Sequence, residues 1–103
     1  MSCADLSAAL QTGKTIRLVD CREPWEHEIV SLPDAELIPM NETPERIGDY
    51  RSGEGLCVVY CHHGVRSLNV AAWLRQQGLD NVRSLAGGID GWSLLIDPSL
   101  PRY

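Results

Sequence analysis

Short apolar segments that predict buried strands alternate along this chain with segments whose spacing predicts helices. The strand candidates are rich in aliphatic side chains and occupy residues 16–20, 35–40, 56–60 and 82–85. The helix candidates cover residues 4–11, 23–29, a stretch from 43 onwards, the stretch from the loop at 61–66 to Gly78, and residues 89–96. This alternation predicts an α/β fold, with an open parallel sheet of about four to five strands and helices on both faces.

Capping and turn residues set the expected helix boundaries. Ser2 is a suitable N-cap for the first helix, and Gly13 is placed to close it. Thr43 and Pro44 predict a further helix, with threonine as N-cap and proline in the first helical position. We therefore expect that helix to begin directly after Thr43.

The length and composition are those of one globular domain. The chain has 103 residues, of which 44% are hydrophobic and 22% are charged. No internal repeat, low-complexity tract or linker interrupts it. We predict a single domain over residues 1–103, with a core of about 16–96 and an extended tail over 97–103.

The net charge of −5 argues against several classes of partner. Nucleic acids and anionic lipid surfaces attract basic proteins, so neither is expected to bind. No segment approaches the roughly 20 apolar residues of a membrane-spanning helix, and the first residues show no signal peptide. We expect a cytoplasmic protein, and its size and acidic charge fit a monomer.

The four cysteines are too few for a secreted disulfide scaffold. Cys57 and Cys61 belong to one extended segment and are separated by roughly 13 Å at the rise of a strand. A disulfide needs Cα atoms within about 7 Å, so this pair is not expected to bridge. Cys57 is predicted to be a small buried apolar residue.

Cys61 occupies the position of a nucleophile, because it ends a buried strand and opens a short loop before a helix. Unpaired N–H groups and the helix dipole favour negative charge at a helix N-terminus. Such a site lowers the pKa of a thiol and holds anionic ligands. Asp20 ends another predicted strand, so a parallel sheet would bring it to the same edge as Cys61.

Four motifs together resemble the rhodanese family of sulfurtransferases. They span most of the chain and read Asp-Cys-Arg-Glu-Pro-Trp-Glu at 20–26, Leu-Pro-Asp-Ala…Ile-Pro at 32–39, Val-Val-Tyr-Cys-His-His-Gly-Val-Arg-Ser at 58–67, and Leu-Ala-Gly-Gly-Ile-Asp-Gly-Trp at 85–92. The resemblance implies a rhodanese-like fold. Cys21 departs from the pattern, because the family usually has an aliphatic residue there. The tail is similar to the end of rhodanese domains fused to enzymes that activate ubiquitin-like proteins.

The resemblance implies a reaction that needs no cofactor and no metal. Cys61 would be the catalytic nucleophile, taking sulfur from thiosulfate or a persulfide donor and passing it from a Cys61 persulfide to cyanide, a thiol or a sulfur-carrier protein. Substrate-binding roles fall on the residues that follow it: His62, His63, Gly64, Val65, Arg66 and Ser67. Among these, Arg66 is expected to bind the donor's sulfonate bidentately, and the backbone N–H groups to surround the sulfur.

Four residues carry narrower expectations. Asp20 and Arg22 are predicted to support the site, with Arg22 paired to a carboxylate. His62 and His63 are adjacent in a tight loop, so we expect their side chains to point in different directions. Only one of the two would then line the site.

Rival interpretations remain open at this stage. A phosphatase is one, although phosphatase loops have five residues between cysteine and arginine, and this loop has four. A metal site is another, but no metal-binding spacing is present. A non-catalytic rhodanese-like module that binds partners is the third. Cys21 is either an apolar replacement or a thiol that forms a disulfide with Cys61.

Overall fold

The computed structural model describes all 103 residues. It contains five α-helices, four strands and one 3-10 helix. In chain order they are α1 (Cys3–Gln11), β1 (Arg17–Asp20), α2 (Pro24–Ile29), β2 (Glu36–Leu37), the 3-10 helix (Met40–Glu42), α3 (Ile47–Arg51), β3 (Cys57–Tyr60), α4 (Val65–Gln76), β4 (Val82–Ser84) and α5 (Gly88–Leu95).

The four strands form one parallel sheet in the order β2-β1-β3-β4. This confirms the predicted α/β architecture with four strands. β1 and β3 are neighbours, and their last residues, Asp20 and Tyr60, are in register. Since parallel strands end at the same edge, the residues that follow, Cys21 and Cys61, emerge side by side.

Both faces of the sheet are covered, because side chains alternate along each strand. On one face, Val19 and Val59 belong to a buried apolar cluster that includes residues of α3 and α4. On the other face, Leu18 and Val58 belong to a second cluster with residues of α1 and α5. The predicted helices on both faces are therefore confirmed.

Two predicted boundaries around Thr43 are wrong. The strand expected over 35–40 is limited to Glu36–Leu37, because the chain turns into the 3-10 helix directly after Pro39, although Ile38 N–H and Met40 N–H still donate to Asp20 O and Cys21 O (2.9 Å each). Thr43 does not cap a helix, because its hydroxyl donates to the carbonyl of Met40 (2.8 Å) and closes the 3-10 turn. The next helix starts only at Ile47.

The helices are short, and two of them, α1 and α2, begin with side-chain caps. Ser2 caps α1 as predicted, accepting the N–H of Asp5 at 3.0 Å. The longest helix, α4, has 12 residues. None of the five α-helices combines the length and the apolar character that a bilayer crossing requires.

Candidate active site

The sulfur of Cys61 is surrounded by hydrogen-bond donors of the loop that follows it. The backbone N–H of Gly64 donates to Sγ at 3.1 Å, and the N–H of Ser67 donates at 3.4 Å. The hydroxyl oxygen of Ser67 lies 3.5 Å from the same sulfur. Cys61 is only 1% exposed. These donors favour a negatively charged sulfur.

Gly64 gives the loop its curvature. It is the N-cap of α4 and has φ +104°, a left-handed conformation that side chains disfavour. A Cβ atom there would also lie 3.1 Å from the backbone nitrogen of Gly87. The sharp turn at Gly64 directs the N–H groups of the first turn of α4 towards Cys61, as the sequence predicted from the glycine.

A second helix N-terminus holds the opposite side of the loop. The first turn of α5 binds two loop carbonyls: Ile89 N–H donates to Cys61 O (2.9 Å), and Asp90 N–H donates to His62 O (3.0 Å). This approach requires Gly88, because a Cβ there would lie 2.5 Å from Cys61 O. The sequence predicted only a turn at this position, and the two adjacent glycines were the available signal of a close backbone approach.

The thiol of Cys61 is strongly acidified. Its pKa is lowered to about 4, mainly by hydrogen bonding from the thiol of Cys21 and further by the side chain of Ser67 and the N–H groups of Ser67 and Gly64, against the opposing effect of burial. Cys21 carries the opposite shift, since the adjacent sulfur and burial raise its pKa. These opposite shifts favour the thiolate form of Cys61, with a protonated thiol beside it.

Asp20 and Arg22 form a buried ion pair next to this edge of the sheet. Both side chains are fully buried, and the guanidinium binds the carboxylate through Nε (2.8 Å) and a terminal nitrogen (2.5 Å). The same terminal nitrogen donates to the carbonyl of Val30 at 2.6 Å. Arg22 thus ties the end of β1 to the segment after α2. This arrangement supports bracing rather than contact with a substrate.

Arg66 is paired with a carboxylate that the sequence did not assign to it. Its two terminal nitrogens donate to the two oxygens of Glu26 at 2.7 and 2.9 Å. Glu26 is 3% exposed, and the guanidinium of Arg66 lowers its pKa to about 2. The bidentate edge expected to bind a sulfonate is therefore occupied, and the positive charge of Arg66 is compensated.

The two histidines do not diverge as predicted, because their rings stack on each other. The centroids are 3.9 Å apart, with an interplanar angle of 29°. His62 is partly covered, and its Nε2 atom is buried without a hydrogen-bond partner, while burial lowers its pKa. His63 is mostly exposed and lies 3.8 Å from Asp90. Val65, also assigned to substrate binding, is 69% exposed.

No group of three or more histidine, cysteine, aspartate or glutamate side chains is arranged to hold a metal ion. All four cysteines are free thiols. Cys57 is buried in β3, as predicted, on the same face as Cys61.

The amino-acid sequence of this chain is similar to those of several known proteins. The chain is 41% identical over 90 residues to a rhodanese-like/PpiC domain-containing chloroplast protein of Arabidopsis thaliana, covering 84% of this chain and 30% of that protein. It is 38% identical over 88 residues to a sulfurtransferase of Allochromatium vinosum, covering 85% and 81%. It is 33% identical over 102 residues to a probable adenylyltransferase/sulfurtransferase, MoeZ, of Mycobacterium tuberculosis, covering 91% and 24%.

A solved structure agrees with these relatives. The human single-domain sulfurtransferase TSTD1 matches with a TM-score of 0.76 and 26% identity, over 92% of this chain and 95% of that one.

The chain spans only 24 to 30% of the length of the first curated relatives it matches. The family model for the rhodanese-like domain matches residues 2–95. This chain belongs to the rhodanese family.

Proposed function

We propose that this protein is a sulfurtransferase that carries sulfane sulfur as a persulfide on Cys61. The observation that carries the proposal is the environment of the Cys61 sulfur, an acidified thiolate held by the N–H groups of Gly64 and Ser67. A thiolate is the reactive form of cysteine towards sulfur electrophiles. The same N–H groups are suited to stabilise the terminal charge of a persulfide.

The reaction has two displacement steps. The Cys61 thiolate attacks the outer sulfur of thiosulfate, an S–S bond forms to Cys61, and the S–S bond of thiosulfate breaks as sulfite leaves with the electron pair. With a persulfide donor, a thiol is the leaving group. The acceptor then attacks the outer sulfur of the Cys61 persulfide and restores the thiolate. Cyanide leaves as thiocyanate, and a thiol acceptor leaves as a persulfide.

The remaining site residues take supporting roles in this proposal. Gly64 and Ser67 border the sulfur, while Asp20 and Arg22 brace the strand end beside it. The carboxylate of Glu26 balances the positive charge of Arg66, so a sulfonate would bind next to a neutral ion pair. This favours donors that do not depend on a free guanidinium, and a persulfide thiol is such a donor.

A carrier protein is a reasonable acceptor class. MoeZ, one of the relatives, is named as both an adenylyltransferase and a sulfurtransferase. The tail of this chain is also similar to rhodanese domains fused to activating enzymes. The chain corresponds to only about a quarter of the length of MoeZ, so the similarity concerns one part of that protein.

Intact-mass spectrometry tests the proposal directly. Protein incubated with thiosulfate should gain the mass of one sulfur atom, and cyanide should remove it. Cys61→Ala should gain nothing, while Cys57→Ala, which removes another buried thiol of the same face, should load normally. A folded wild-type protein that stays unmodified with both thiosulfate and a persulfide donor would favour the partner-binding module. Enzyme-like turnover of an aryl phosphate would favour the phosphatase.

A further inference from the structure

Residues 97–103, which we call the strap, fold back from α5 instead of extending into solvent. The side chain of Asp97 accepts the N–H of Ser99 at 3.1 Å, which turns the chain after the helix. Leu100 packs against the cluster that includes residues of α1 and α5. Arg102 binds Asp90 of α5 at 2.8 Å. The strap therefore has defined contacts along its length.

Tyr103 ends this path on the active-site loop. Its hydroxyl accepts from Arg22 at 2.9 Å and donates to Glu26, the carboxylate that also holds Arg66. Its ring lies parallel to the imidazole of His62, with centroids 3.9 Å apart and an angle of 8°. A third contact is edge-to-face with Trp25, at 6.1 Å and 79°. Tyr103 thus touches the residue directly after Cys61.

The nucleophile of the same loop is closed to solvent. Cys61 is 1% exposed, and it lines none of the four surface cavities. The stack also contains the buried Nε2 atom of His62, which has no hydrogen-bond partner. An unpaired buried nitrogen is unfavourable, and water or a ligand would satisfy it once the cover moves. Both observations indicate a closed state that must open for chemistry.

We propose that Tyr103 is a specificity-determining residue, which covers the Cys61 loop and selects reactants by size. Small reactants need only the ring of Tyr103 to move, whereas bulky thiols need the whole strap to move, which also breaks the ion pair of Arg102 with Asp90. The selection of sulfur acceptors rests on the proposed function. The closure itself is a property of the Cys61 thiolate and can be measured without sulfur transfer.

Alkylation rates measure the closure. Wild-type protein, Tyr103→Ala and Tyr103→Phe are treated with iodoacetamide and with a bulky maleimide, and modification of Cys61 is followed by mass spectrometry. In Tyr103→Ala the bulky reagent should react about tenfold faster or more, and the small reagent should gain clearly less, because the open population rises. Tyr103→Phe keeps the stacked ring and should keep most of the wild-type selectivity.

Arg102→Ala is a second route to the same result. It removes the ion pair with Asp90 without changing the ring, so it should also favour the bulky reagent, by a smaller factor. Far-ultraviolet circular dichroism verifies that each variant is folded. Equal acceleration of both reagents, or no change in either variant, would overturn the proposal.

The two proposals can fail separately. If wild-type protein loads no sulfur but the alkylation selectivity changes as stated, the strap is confirmed and the proposed function is wrong. If sulfur transfer proceeds and the selectivity between cyanide and a bulky thiol is the same in wild type and Tyr103→Ala, the specificity role is wrong.

Discussion

Two cysteines hold equivalent positions at the ends of neighbouring strands, yet they have opposite acidities. Cys21 follows β1 and Cys61 follows β3, the residues before them are in register, and both are 1% exposed in the same apolar cluster. The pKa of Cys61 is lowered to about 4, whereas that of Cys21 is raised. Burial and strand position therefore do not make a thiol reactive.

Part of the difference lies in the residues that follow each cysteine, in addition to the effect of the Cys21 thiol on Cys61. After Cys61, Gly64 turns the chain so that the N–H groups of Gly64 and Ser67 reach the sulfur. After Cys21, the side chain of Arg22 turns back to Asp20, and no N–H group is directed at the thiol. One strand end is built to stabilise an anion, and the other is built as a brace. Four pairs of variants test this contrast.

The largest effect is expected for the nucleophile. Cys61→Ser should lower the rate of thiocyanate formation by at least about a thousandfold, because no persulfide can form. Cys21→Ser keeps a hydrogen-bond donor and should retain activity within about tenfold of wild type. The measurement is the steady-state rate with thiosulfate and cyanide. Equal losses in the two variants would mean that both sulfurs take part and that the two strand ends are not different in kind.

The buried pair of Asp20 and Arg22 is expected to contribute to the free energy of unfolding. Asp20→Ala leaves the fully buried guanidinium of Arg22 without its carboxylate and should lower the free energy of unfolding by about 3 kcal/mol or more. Glu36→Ala breaks the half-exposed pair with Arg17 and should cost less than about 1 kcal/mol. Urea denaturation compares the two variants. A small loss in Asp20→Ala would show that the pair is not a brace.

The support under the Cys61 loop depends on one glycine. Gly88→Ala places a Cβ against the carbonyls of Cys61 and His62 at φ +61° and should cost about 3 kcal/mol and disturb the loop. Gly13 also has positive φ but nothing near its missing Cβ, so Gly13→Ala should cost only about 1 kcal/mol. Urea denaturation gives the stabilities, and sulfur loading reports on the loop. Similar stabilities for the two variants would contradict the close approach.

The smallest expected effect is a shift in the pKa of Cys61. Alkylation of Cys61 should be nearly independent of pH down to about pH 5 and fall as the thiolate is protonated through its pKa of about 4. Cys21→Val removes the largest contribution and should move this transition upward by about one pH unit or more. Cys57→Val removes a buried thiol that does not act on Cys61 and should leave it in place. If the midpoint of the pH transition is the same in Cys21→Val as in wild type, the low pKa of Cys61 is caused by the loop alone.

The same pKa predicts how stability depends on pH. The folded state favours the Cys61 thiolate, since its pKa is lowered from 9.0 in the unfolded reference to about 4. This contribution to stability is complete above pH 9 and is lost as the pH falls from there towards 4. Cys61→Ser should remove this part of the pH dependence, as measured by urea denaturation at several pH values.

Features that depend on local sequence were predicted correctly. The β3 strand, the turn at Gly64 and the start of α4 each follow from a few consecutive residues, so the amino-acid sequence is sufficient to place the Cys61 loop between β3 and α4. The prediction of a helix beginning directly after Thr43 was wrong, and the reason is also local. A threonine hydroxyl can serve either the preceding carbonyl or the following N–H groups, and the sequence does not show which partner it takes.

Side-chain contacts between distant residues could not be predicted. The pair between Arg66 and Glu26 joins residues 40 positions apart, and the contact of Tyr103 with Arg22 spans 81 positions. The support of the loop by α5 also arises only from the folded sheet order. These contacts pair Arg66 with a carboxylate and bring Tyr103 onto the loop that follows Cys61, and no local sequence pattern indicates either arrangement.

The carboxylate of Glu26 has a consequence for how this sequence can evolve. It accepts the backbone N–H of Glu23 at the start of α2, both terminal nitrogens of Arg66, and the hydroxyl of Tyr103. One side chain thus serves a helix start, the nucleophile's loop and the strap. Positions 26, 66 and 103 are therefore expected to change together among relatives, and loss of the tail should relax the constraint on the glutamate.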